Sequence, residues 1–369
     1  MELNSYLLQM VEKKGSDLFI TAGRPISMKI NGIIKPLHEE KISLEESQRI
    51  ISNIMSTAQL AEFKEAKESN FSISFKDVGR FRVNVFYQRE SMGMVIRRIE
   101  TEIPTVEQLS LPLILKEVIS SKRGLILFVG GTGTGKSTTM AALIGHRNKT
   151  SSGHILTIED PIEFIHTHDN CIVTQREVGI DTPSFDSALQ NSLRQAPDVI
   201  VLGEIRNSST MEFALQFAET GHLCIATLHA NNANQAIDRI MHLVPAEKHK
   251  QMLFDLSLNL KAIVAQQLIP SIDEKSRKVA VELLISTPHI AELIKRGDIH
   301  LIKEAMAKNK EFGMQTFDQA LFELYRNCEI SYNEAIRSAD SANDLRLMIK
   351  LSEEGTGVET LRNITYDMS

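Results

Sequence analysis

The chain has 369 residues, which is enough for two or three domains that each bury a core of their own. Its 42% hydrophobic and 24% charged residues are typical of an ordinary soluble protein. The net charge of -6 argues against a surface devoted to nucleic acid, although it leaves room for a local basic channel. No apolar run approaches the roughly 20 residues needed to cross a bilayer, and the N-terminus lacks the basic segment and apolar core of a secretion signal.

The three cysteines, Cys171, Cys224 and Cys328, are far apart in the sequence, and none belongs to a C-x-x-C pair. This usage fits a reducing cytosol and argues against a structural zinc site. We therefore expect three buried free thiols.

The first 100 residues predict a small α+β domain. Ser43 and Glu46 form a capping-box pattern at the start of one of its helices. Residues 101–112, which include two prolines, are typical of a linker. The predicted elements are helices over residues 3–11, 44–55 and 57–67 and strands over residues 17–22, 27–34, 71–75, 79–87 and 92–99.

A glycine-rich segment lies between an apolar run, residues 125–129, and a stretch with the composition of a buried helix, residues 138–144. It satisfies the G-x-x-x-x-G-K-S phosphate-loop pattern in the strand-then-helix context that this pattern requires. Glycines let successive backbone N–H groups surround a polyphosphate, and the helix N-terminus adds partial positive charge. We expect the lysine to reach the terminal phosphates and the serine hydroxyl to ligate Mg²⁺. The predicted nucleotide-binding residues are Gly130, Gly131, Thr132, Gly133, Thr134, Gly135, Lys136, Ser137 and Thr138.

Residues 113–270 alternate apolar strands with helical stretches, which is typical of a mostly parallel sheet covered by helices. Residues 271–350 are predicted to be helical, with breaks at Gly297 and Gly313, and the tail 351–369 is predicted to be loosely held. Three of the predicted strands end in polar or charged residues, where ligands bind at the carboxyl edge of an open α/β sheet. The four predicted strands of this sheet cover residues 125–129, 154–158, 199–202 and 223–227.

Two acidic segments follow predicted strands of this sheet. Strand 154–158 leads into Glu-Asp-Pro-Ile-Glu, where one carboxylate would orient or deprotonate the attacking water. We choose Glu163 because Pro161 turns the chain; the alternative is a solvated acidic turn. The apolar strand 199–202 leads to Glu204, which is predicted to hold a water on Mg²⁺, or else to be a charge near a helix N-terminus.

Two histidines, His222 and His229, flank the predicted strand 223–227. On an extended segment they cannot both bind one metal ion without a bend, and no third ligand is evident. Each histidine could contact the terminal phosphate or have a buried structural role, and the sequence leaves both alternatives open.

Four arginines, Arg80, Arg82, Arg97 and Arg98, cluster on strands of the first domain. The guanidinium fork suits phosphate oxygens, and an arginine from a neighbouring subunit accelerates phosphoryl transfer. From the residues alone, a salt-bridged strand face is the favoured interpretation.

Together these segments resemble the secretion ATPases of the type II and type IV pilus superfamily, and most of all the twitching-motility retraction ATPases PilT and PilU. The resemblance covers nearly the whole chain. It rests on an N-terminal signature at residues 16–23, a Walker A motif at 130–138, an aspartate box at 158–163, a Walker B motif at 198–204 and a histidine box at 221–229, with family-like residues at 175–179 and 193–195.

The resemblance implies a PAS-like N-terminal α+β domain followed by a RecA-like P-loop ATPase domain with a helical C-terminal region. It also implies a cytoplasmic homo-hexamer at the inner membrane that acts on a pilus platform protein and needs no nucleic acid. ATP would sit between the domains, with Mg²⁺ held through Ser137 and Glu204. The implied catalytic residues are Glu163, Glu204, His229 and, as arginine fingers in place of a salt-bridged face, Arg82, Arg97 and Arg98.

Within this family the chain resembles PilU more than PilT. PilT-like proteins carry Ala-Ile-Arg-x-Gly-Glu near the C-terminus, and the corresponding residues 290–298 lack it, whereas residues 89–98 and 341–350 are similar to PilU. A PilU-like protein would be an accessory motor that works with a PilT-like ATPase. The missing tetracysteine zinc module also favours the retraction branch.

Three other functions stay open. One is a pilus-assembly, conjugation or type II secretion ATPase, and another is a structural ring subunit that binds ATP and docks to PilT. A nucleic-acid translocase is disfavoured because the chain has neither a basic tract nor interleaved aromatic residues.

Overall fold

The computed structural model describes residues 3–30, 32–75, 78–99 and 102–355. The chain divides into two compact units. Unit 1 contains the N-terminal residues up to Glu102 together with two later segments, 160–166 and 175–188, and unit 2 contains the rest. Most of the predicted tail, from residue 356 onward, lies outside the described residues.

Unit 1 is built on a six-stranded sheet with the strand order β3-β2-β1-β6-β5-β4. All of the pairs between neighbouring strands are antiparallel. The elements are α1 (Leu3–Glu12), β1 (Asp17–Thr21), β2 (Ser27–Ile30), β3 (Ile33–Pro36), α2 (Leu44–Ser52), α3 (Thr57–Ala66), β4 (Glu68–Phe75), β5 (Gly79–Gln88) and β6 (Ser91–Arg98).

Alternating apolar residues of the central strands form the core of unit 1. Phe81, Val83, Met94 and Ile96 point to one face of the sheet and are fully buried, and helices α1, α2 and α3 contribute further apolar side chains to the same cluster. The predicted capping box opens α2, because the Ser43 hydroxyl accepts from the Glu46 N–H and the Glu46 carboxylate accepts from the Ser43 N–H.

Unit 2 is built on a seven-stranded sheet with the strand order β13-β12-β7-β11-β10-β8-β9. Strands β12, β7, β11, β10 and β8 run parallel, and β13 is antiparallel to β12. The first elements are α4 (Ile114–Ile119), β7 (Gly124–Val129), α5 (Lys136–Thr150), β8 (Gly153–Glu159), β9 (Cys171–Glu177), α6 (Phe185–Ser192), β10 (Val199–Leu202), α7 (Ser208–Glu219), β11 (Leu223–Leu228), α8 (Ala233–Leu243), α9 (His249–Asn259) and β12 (Leu260–Pro270). The end of β9 and the start of α6 belong to the 175–188 segment of unit 1. The four strands predicted for this sheet are confirmed.

The region predicted to be helical, 271–350, also contains a strand. The remaining elements are β13 (Arg277–Ile285), α10 (Pro288–Arg296), α11 (Ile302–Lys308), α12 (Phe317–Arg326), α13 (Tyr332–Ser338) and α14 (Ala342–Gly355). The sequence pattern of β13 is too short for its periodicity to indicate whether the segment is a strand or a helix. The segment is a strand because it pairs with β12 over nine residues. The predicted breaks at Gly297 and Gly313 are confirmed, since both glycines adopt left-handed φ angles, 79° and 81°, at the ends of helical turns.

Part of the predicted linker packs into unit 2, where Val106 and Leu111 are buried in the main core cluster. This cluster joins α4 and α5 to strands of the sheet. The sheet behind the phosphate loop is therefore covered in part by residues that precede β7 in the chain.

All three cysteines are free thiols. Cys171 and Cys224 are buried as predicted, but Cys328 is exposed, so the prediction for it is wrong. Cys328 lies just after α12 with a φ angle of 57°, in a surface turn that its neighbours do not cover. In the part of the chain that the structure describes, no helix is both long and apolar enough to span a membrane.

Candidate nucleotide-binding site

The phosphate loop follows the fully buried strand β7 and leads directly into α5. Gly130, Gly133 and Gly135 have φ angles of 153°, 78° and 88°, which side chains with a Cβ rarely adopt. A Cβ at Gly130 would also lie 2.6 Å from Thr134 Oγ1 and 2.8 Å from the Gln266 carbonyl oxygen. These three glycines are therefore required by the backbone of the loop itself.

The Lys136 side chain lies back across this loop. Its ammonium group donates to the carbonyl oxygens of Gly130 and Gly131 over 2.9 Å and 2.8 Å. Thr134 Oγ1 donates to the Gly131 carbonyl as well, over 3.0 Å. The positive charge is thus held at the mouth of the loop, where the helix N-terminus also favours an anion.

A residue outside every sequence motif contacts the loop. Gln266, on β12, is buried, and its Nε2 donates to the Thr134 carbonyl over 2.8 Å. Its Oε1 accepts from the Thr139 hydroxyl in the second turn of α5, over 2.7 Å. Gln266 was not predicted as a site residue. Its place in the mostly apolar segment 260–270 is a signal that could have found it, because a buried amide must be paired.

The Walker B glutamate and the second histidine meet at the carboxyl edge of the sheet. His229 Nε2 lies 3.1 Å from Glu204 Oε1, and Arg206 Nε lies 2.7 Å from Glu204 Oε2. Glu204 is partly exposed, which leaves it accessible to solvent and ligand. This contact places the Arg206 guanidinium on the Glu204 carboxylate, and no role was predicted for Arg206.

The other histidine has a local role. His222 Nδ1 lies 3.0 Å from Thr220 Oγ1 and 3.2 Å from the Phe217 carbonyl oxygen, at the end of α7. The structure therefore does not bring His222 together with Glu204 and His229, and a hydrogen-bonded structural role accounts for it.

The aspartate box divides between the two units. Glu159 ends β8 in unit 2, and its Oε1 accepts from the Thr157 hydroxyl over 2.6 Å. Glu163 belongs to the 160–166 segment of unit 1 and is exposed. The residue before it, Ile162, donates its N–H to Glu177 Oε2 over 3.4 Å.

Glu177 is fully buried in unit 1 and faces one of the predicted arginine fingers. Burial raises the pKa of Glu177, and the nearby Arg82 and Arg80 lower it in part. Arg82 Nη1 lies 3.8 Å from Glu177 Oε1, which has no hydrogen-bond partner among the described residues. Glu177 lies in the family-like segment 175–179, but the sequence analysis assigned it no role.

The predicted arginines divide between the two faces of the unit 1 sheet. Asp17 pairs in register with Arg97, which pairs in turn with Arg82, so all three lie on one face. Arg97 Nε donates to the buried carboxylate of Asp17 over 2.8 Å. Arg98 is the next residue on β6 and points to the opposite face. Arg82 and Arg97 thus both make ion pairs, as the salt-bridged interpretation predicted, and Arg98 does not share their face.

Comparison with known proteins assigns the family. Residues 1–337 match the model of the family described as Type II/IV secretion system protein. The chain belongs to this family. It is 58% identical to the Type IV pilus ATPase PilU of Pseudomonas aeruginosa over 100% of this chain and 96% of that protein. It is 38% identical to the PilT retraction ATPase of the same organism, over 92% of this chain and 98% of that protein.

A solved member of the family has the same fold. The crystal structure of the pilus retraction motor PilT with bound ADP superimposes with a TM-score of 0.88, at 39% identity, over 94% of this chain and 100% of that chain. The sequence-based assignment to the PilT and PilU group is confirmed, and the greater similarity to the PilU relative agrees with the predicted subtype. As a member of this ATPase family the protein binds and hydrolyses a nucleotide, and its fold is mixed α/β.

Proposed function

We propose that the protein is an ATP-hydrolysing motor that powers the retraction of type IV pili. The single observation that carries the proposal is the phosphate loop with Lys136, in a chain that is 58% identical over its full length to a Type IV pilus ATPase. In this proposal unit 1 is the PAS-like domain and unit 2 is the RecA-like ATPase domain. The subunits form a homo-hexamer in the cytoplasm, peripheral to the inner membrane at the pilus base.

The loop residues 130–138 would bind the phosphates of ATP through backbone N–H groups and Lys136. Mg²⁺ would be held through the Ser137 hydroxyl and, by way of a water, Glu204, because hydroxyl and carboxylate oxygens are the ligands that Mg²⁺ prefers. When bound, the metal ion would neutralise the charge that develops on the transferred phosphoryl group. The partial exposure of Glu204 is compatible with this role.

Glu163 would orient or deprotonate the attacking water, and His229 would orient the Glu204 carboxylate. The 3.1 Å contact between His229 and Glu204 supports the role of His229. Arg82, Arg97 and Arg98 would act on the phosphates of a nucleotide as arginine fingers. Arg82 and Arg97 already have carboxylate partners on the face that they share, and each would have to exchange its partner for a phosphate oxygen.

Within the pilus machine we propose an accessory role. The protein would work with a PilT-like ATPase and turn an inner-membrane platform protein, adding force to retraction. Loss of the γ-phosphate would release contacts that hold the motor in its ATP state, so that each turnover changes the subunit geometry. No nucleic acid is required.

The test is pilus retraction under load in cells that lack only this protein. We expect surface filaments to be present but to retract weakly, and we expect the wild-type gene but not Lys136→Ala to restore force. Absence of filaments would instead indicate an assembly ATPase. Restoration of force by Lys136→Ala would indicate a structural ring subunit that need not hydrolyse ATP.

A further inference from the structure

We propose that Gln266 is a positioning residue for the phosphate loop, which it holds in the conformation that binds a polyphosphate. This residue lies far from the Walker A motif in the sequence. Strand register brings it to the loop. Ala265 of β12 pairs with Val129, the last residue of β7, so the next residue of β12 lies beside the first glycine of the loop.

The side chain of Gln266 joins two parts of the motif. Its Nε2 donates to the Thr134 carbonyl at the end of the loop, and its Oε1 accepts from Thr139 Oγ1 on α5. Both bonds, 2.8 Å and 2.7 Å long, are short enough to be well formed. Gln266 and Thr139 are 2% and 1% exposed, so water does not compete for the bond between them, and the bond to the Thr134 carbonyl is partly buried.

This arrangement orients the peptide group between Thr134 and Gly135. The peptide is trans, since the only cis bond in the described part of the chain is Asp160–Pro161. The carbonyl and the N–H of a trans peptide point in opposite directions. With the Thr134 carbonyl fixed toward Gln266, the Gly135 N–H points away from it, as a donor to a bound phosphate requires.

The close packing at both ends of the loop shows that the fit to Gln266 is tight. A Cβ at Gly135 would lie 2.7 Å from Gln266 Nε2, and a Cβ at Gly130 would lie 2.8 Å from the Gln266 carbonyl oxygen. The loop backbone therefore packs closely against Gln266 at both its first and its last glycine. A shift of the Gln266 amide would move the donors that bind phosphate.

The decisive variant is Gln266→Met, which keeps the length of the side chain and loses both hydrogen bonds. We expect the KM for ATP to rise about tenfold while kcat at saturating ATP changes less than about twofold. The bond to the Thr134 carbonyl is the one that orients the loop, and the free energy of one lost hydrogen bond corresponds to a factor of this size. The matched control is Gln267→Met, at the next and partly exposed position of β12, which should leave the KM unchanged. Thr139→Val, which removes only the bond to Oε1, should raise the KM less than Gln266→Met does.

The urea unfolding midpoint of each variant measures its stability, so that an effect on ATP binding can be told apart from a loss of folded protein. A Gln266→Met protein with the wild-type KM, whether or not its unfolding midpoint falls, would overturn the proposal. If this variant cannot be purified in a folded form, Gln266→Glu decides the matter. It keeps the volume and the acceptor for Thr139, replaces the donor facing Thr134, and adds negative charge, so an unchanged KM in this variant would equally reject the proposal.

The inference rests on the proposed ATPase function, and the wild-type protein separates the two failures. A folded wild-type protein that does not bind ATP would reject the function itself. A wild-type protein that binds ATP, beside Gln266 variants that bind it equally well, would reject only the role of Gln266.

Discussion

At the scale of single residues, the site consists of groups whose chemistry depends on a few neighbours. Glu204 is fixed between Arg206 and His229, and Lys136 is held by two carbonyl oxygens of its own loop. Glu163, by contrast, is exposed and belongs to a segment that groups with unit 1. The candidate catalytic base is therefore carried by a different unit from the phosphate loop.

Replacement of Glu163 by glutamine tests its assignment as the group that activates water. The amide keeps the size of the side chain but cannot accept the proton, so we expect turnover of ATP to fall by about 10² to 10⁴. ATP affinity should stay close to the wild-type value, because Glu163 is not expected to bind the ground-state phosphates.

The measurements are steady-state hydrolysis and equilibrium ATP binding, with Asp169→Asn as a control at an exposed acidic position. Turnover at the wild-type rate in a folded Glu163→Gln protein would reject the catalytic role. Loss of ATP binding would instead assign Glu163 to the residues that bind the nucleotide.

The loop could be predicted from the sequence because Gly130, Gly133 and Gly135 are required by one local conformation, and the lysine and serine of the motif follow them directly in the chain. Gln266 and Glu177 could not be predicted in the same way, since their partners come from distant parts of the chain: Gln266 contacts Thr134, and Glu177 faces Arg82. A motif records neighbours along the sequence, whereas these two roles depend on strand register and packing.

At the scale of elements, strand alternation decides which arginines can act together. The register places Arg82 and Arg97 on one face and Arg98 on the other. This separation follows from the sequence once β6 is recognised, because adjacent residues of a strand point in opposite directions. The ion pairs with Asp17 and Glu177 needed the structure.

Arg82→Lys tests Arg82 as an arginine finger without removing the charge that faces Glu177. Lysine retains the ion pair but loses the planar fork that binds two phosphate oxygens. We expect ATP turnover to fall at least about a hundredfold with little change in the unfolding midpoint, since arginine fingers contribute about 10³ to 10⁵ in kcat.

The control is Arg24→Lys at an exposed position of unit 1, which should have no effect on either quantity. If Arg82→Lys hydrolyses ATP at the wild-type rate, Arg82 serves only the ion pair with Glu177. A drop in stability with normal turnover would lead to the same conclusion.

Another carboxylate holds helices of unit 2 together. Glu282, on β13, is almost fully buried and accepts the N–H groups of Ala233 and Phe317, the first residues of α8 and α12. The pKa of Glu282 is raised to about 7, mainly by burial and in part by Asp340, whereas the two N–H groups and Lys303 act to lower it. Helix α8 follows the histidine box, so this acid fixes the element that begins after His229.

The raised pKa predicts how stability depends on pH. Because the pKa of Glu282 is higher in the folded than in the unfolded chain, its contribution to stability is fully present below about pH 4.5 and is lost as the pH rises through about 7. The loss is on the order of 3 kcal/mol. We expect the wild-type protein to lose unfolding free energy relative to Glu282→Gln as the pH increases from 5 to about 7.5, since the amide does not titrate.

Urea unfolding at a series of pH values measures this difference, and Glu247→Gln, an exposed position, should give a constant difference from the wild type. The amide of Glu282→Gln places a donor toward one N–H group, which adds an offset that does not depend on pH. A difference between wild type and Glu282→Gln that is also constant over this range would contradict the raised pKa.

At the scale of the whole molecule, the protein is a two-unit member of the Type II/IV secretion system family whose residues match PilU and PilT relatives over most or all of the chain. The fold class and the four main strands of unit 2 could be predicted because strands and helices alternate along this part of the chain. Strand β13 could not be predicted, because Arg277–Ile285 mixes charged and apolar residues without a clear period and forms a strand through its pairing with β12. The contribution of residues 160–166 and 175–188 to unit 1 likewise depends on contacts that no local pattern records.

The most direct test of the account is the steady-state rate of ATP hydrolysis by the purified protein and its Lys136→Ala variant. Lys149→Ala, an exposed lysine later on α5, is the matched control. The account predicts a Mg²⁺-dependent rate in the wild type and in Lys149→Ala, and a loss of at least about a hundredfold in Lys136→Ala. Hydrolysis by a folded Lys136→Ala protein at the wild-type rate would contradict it.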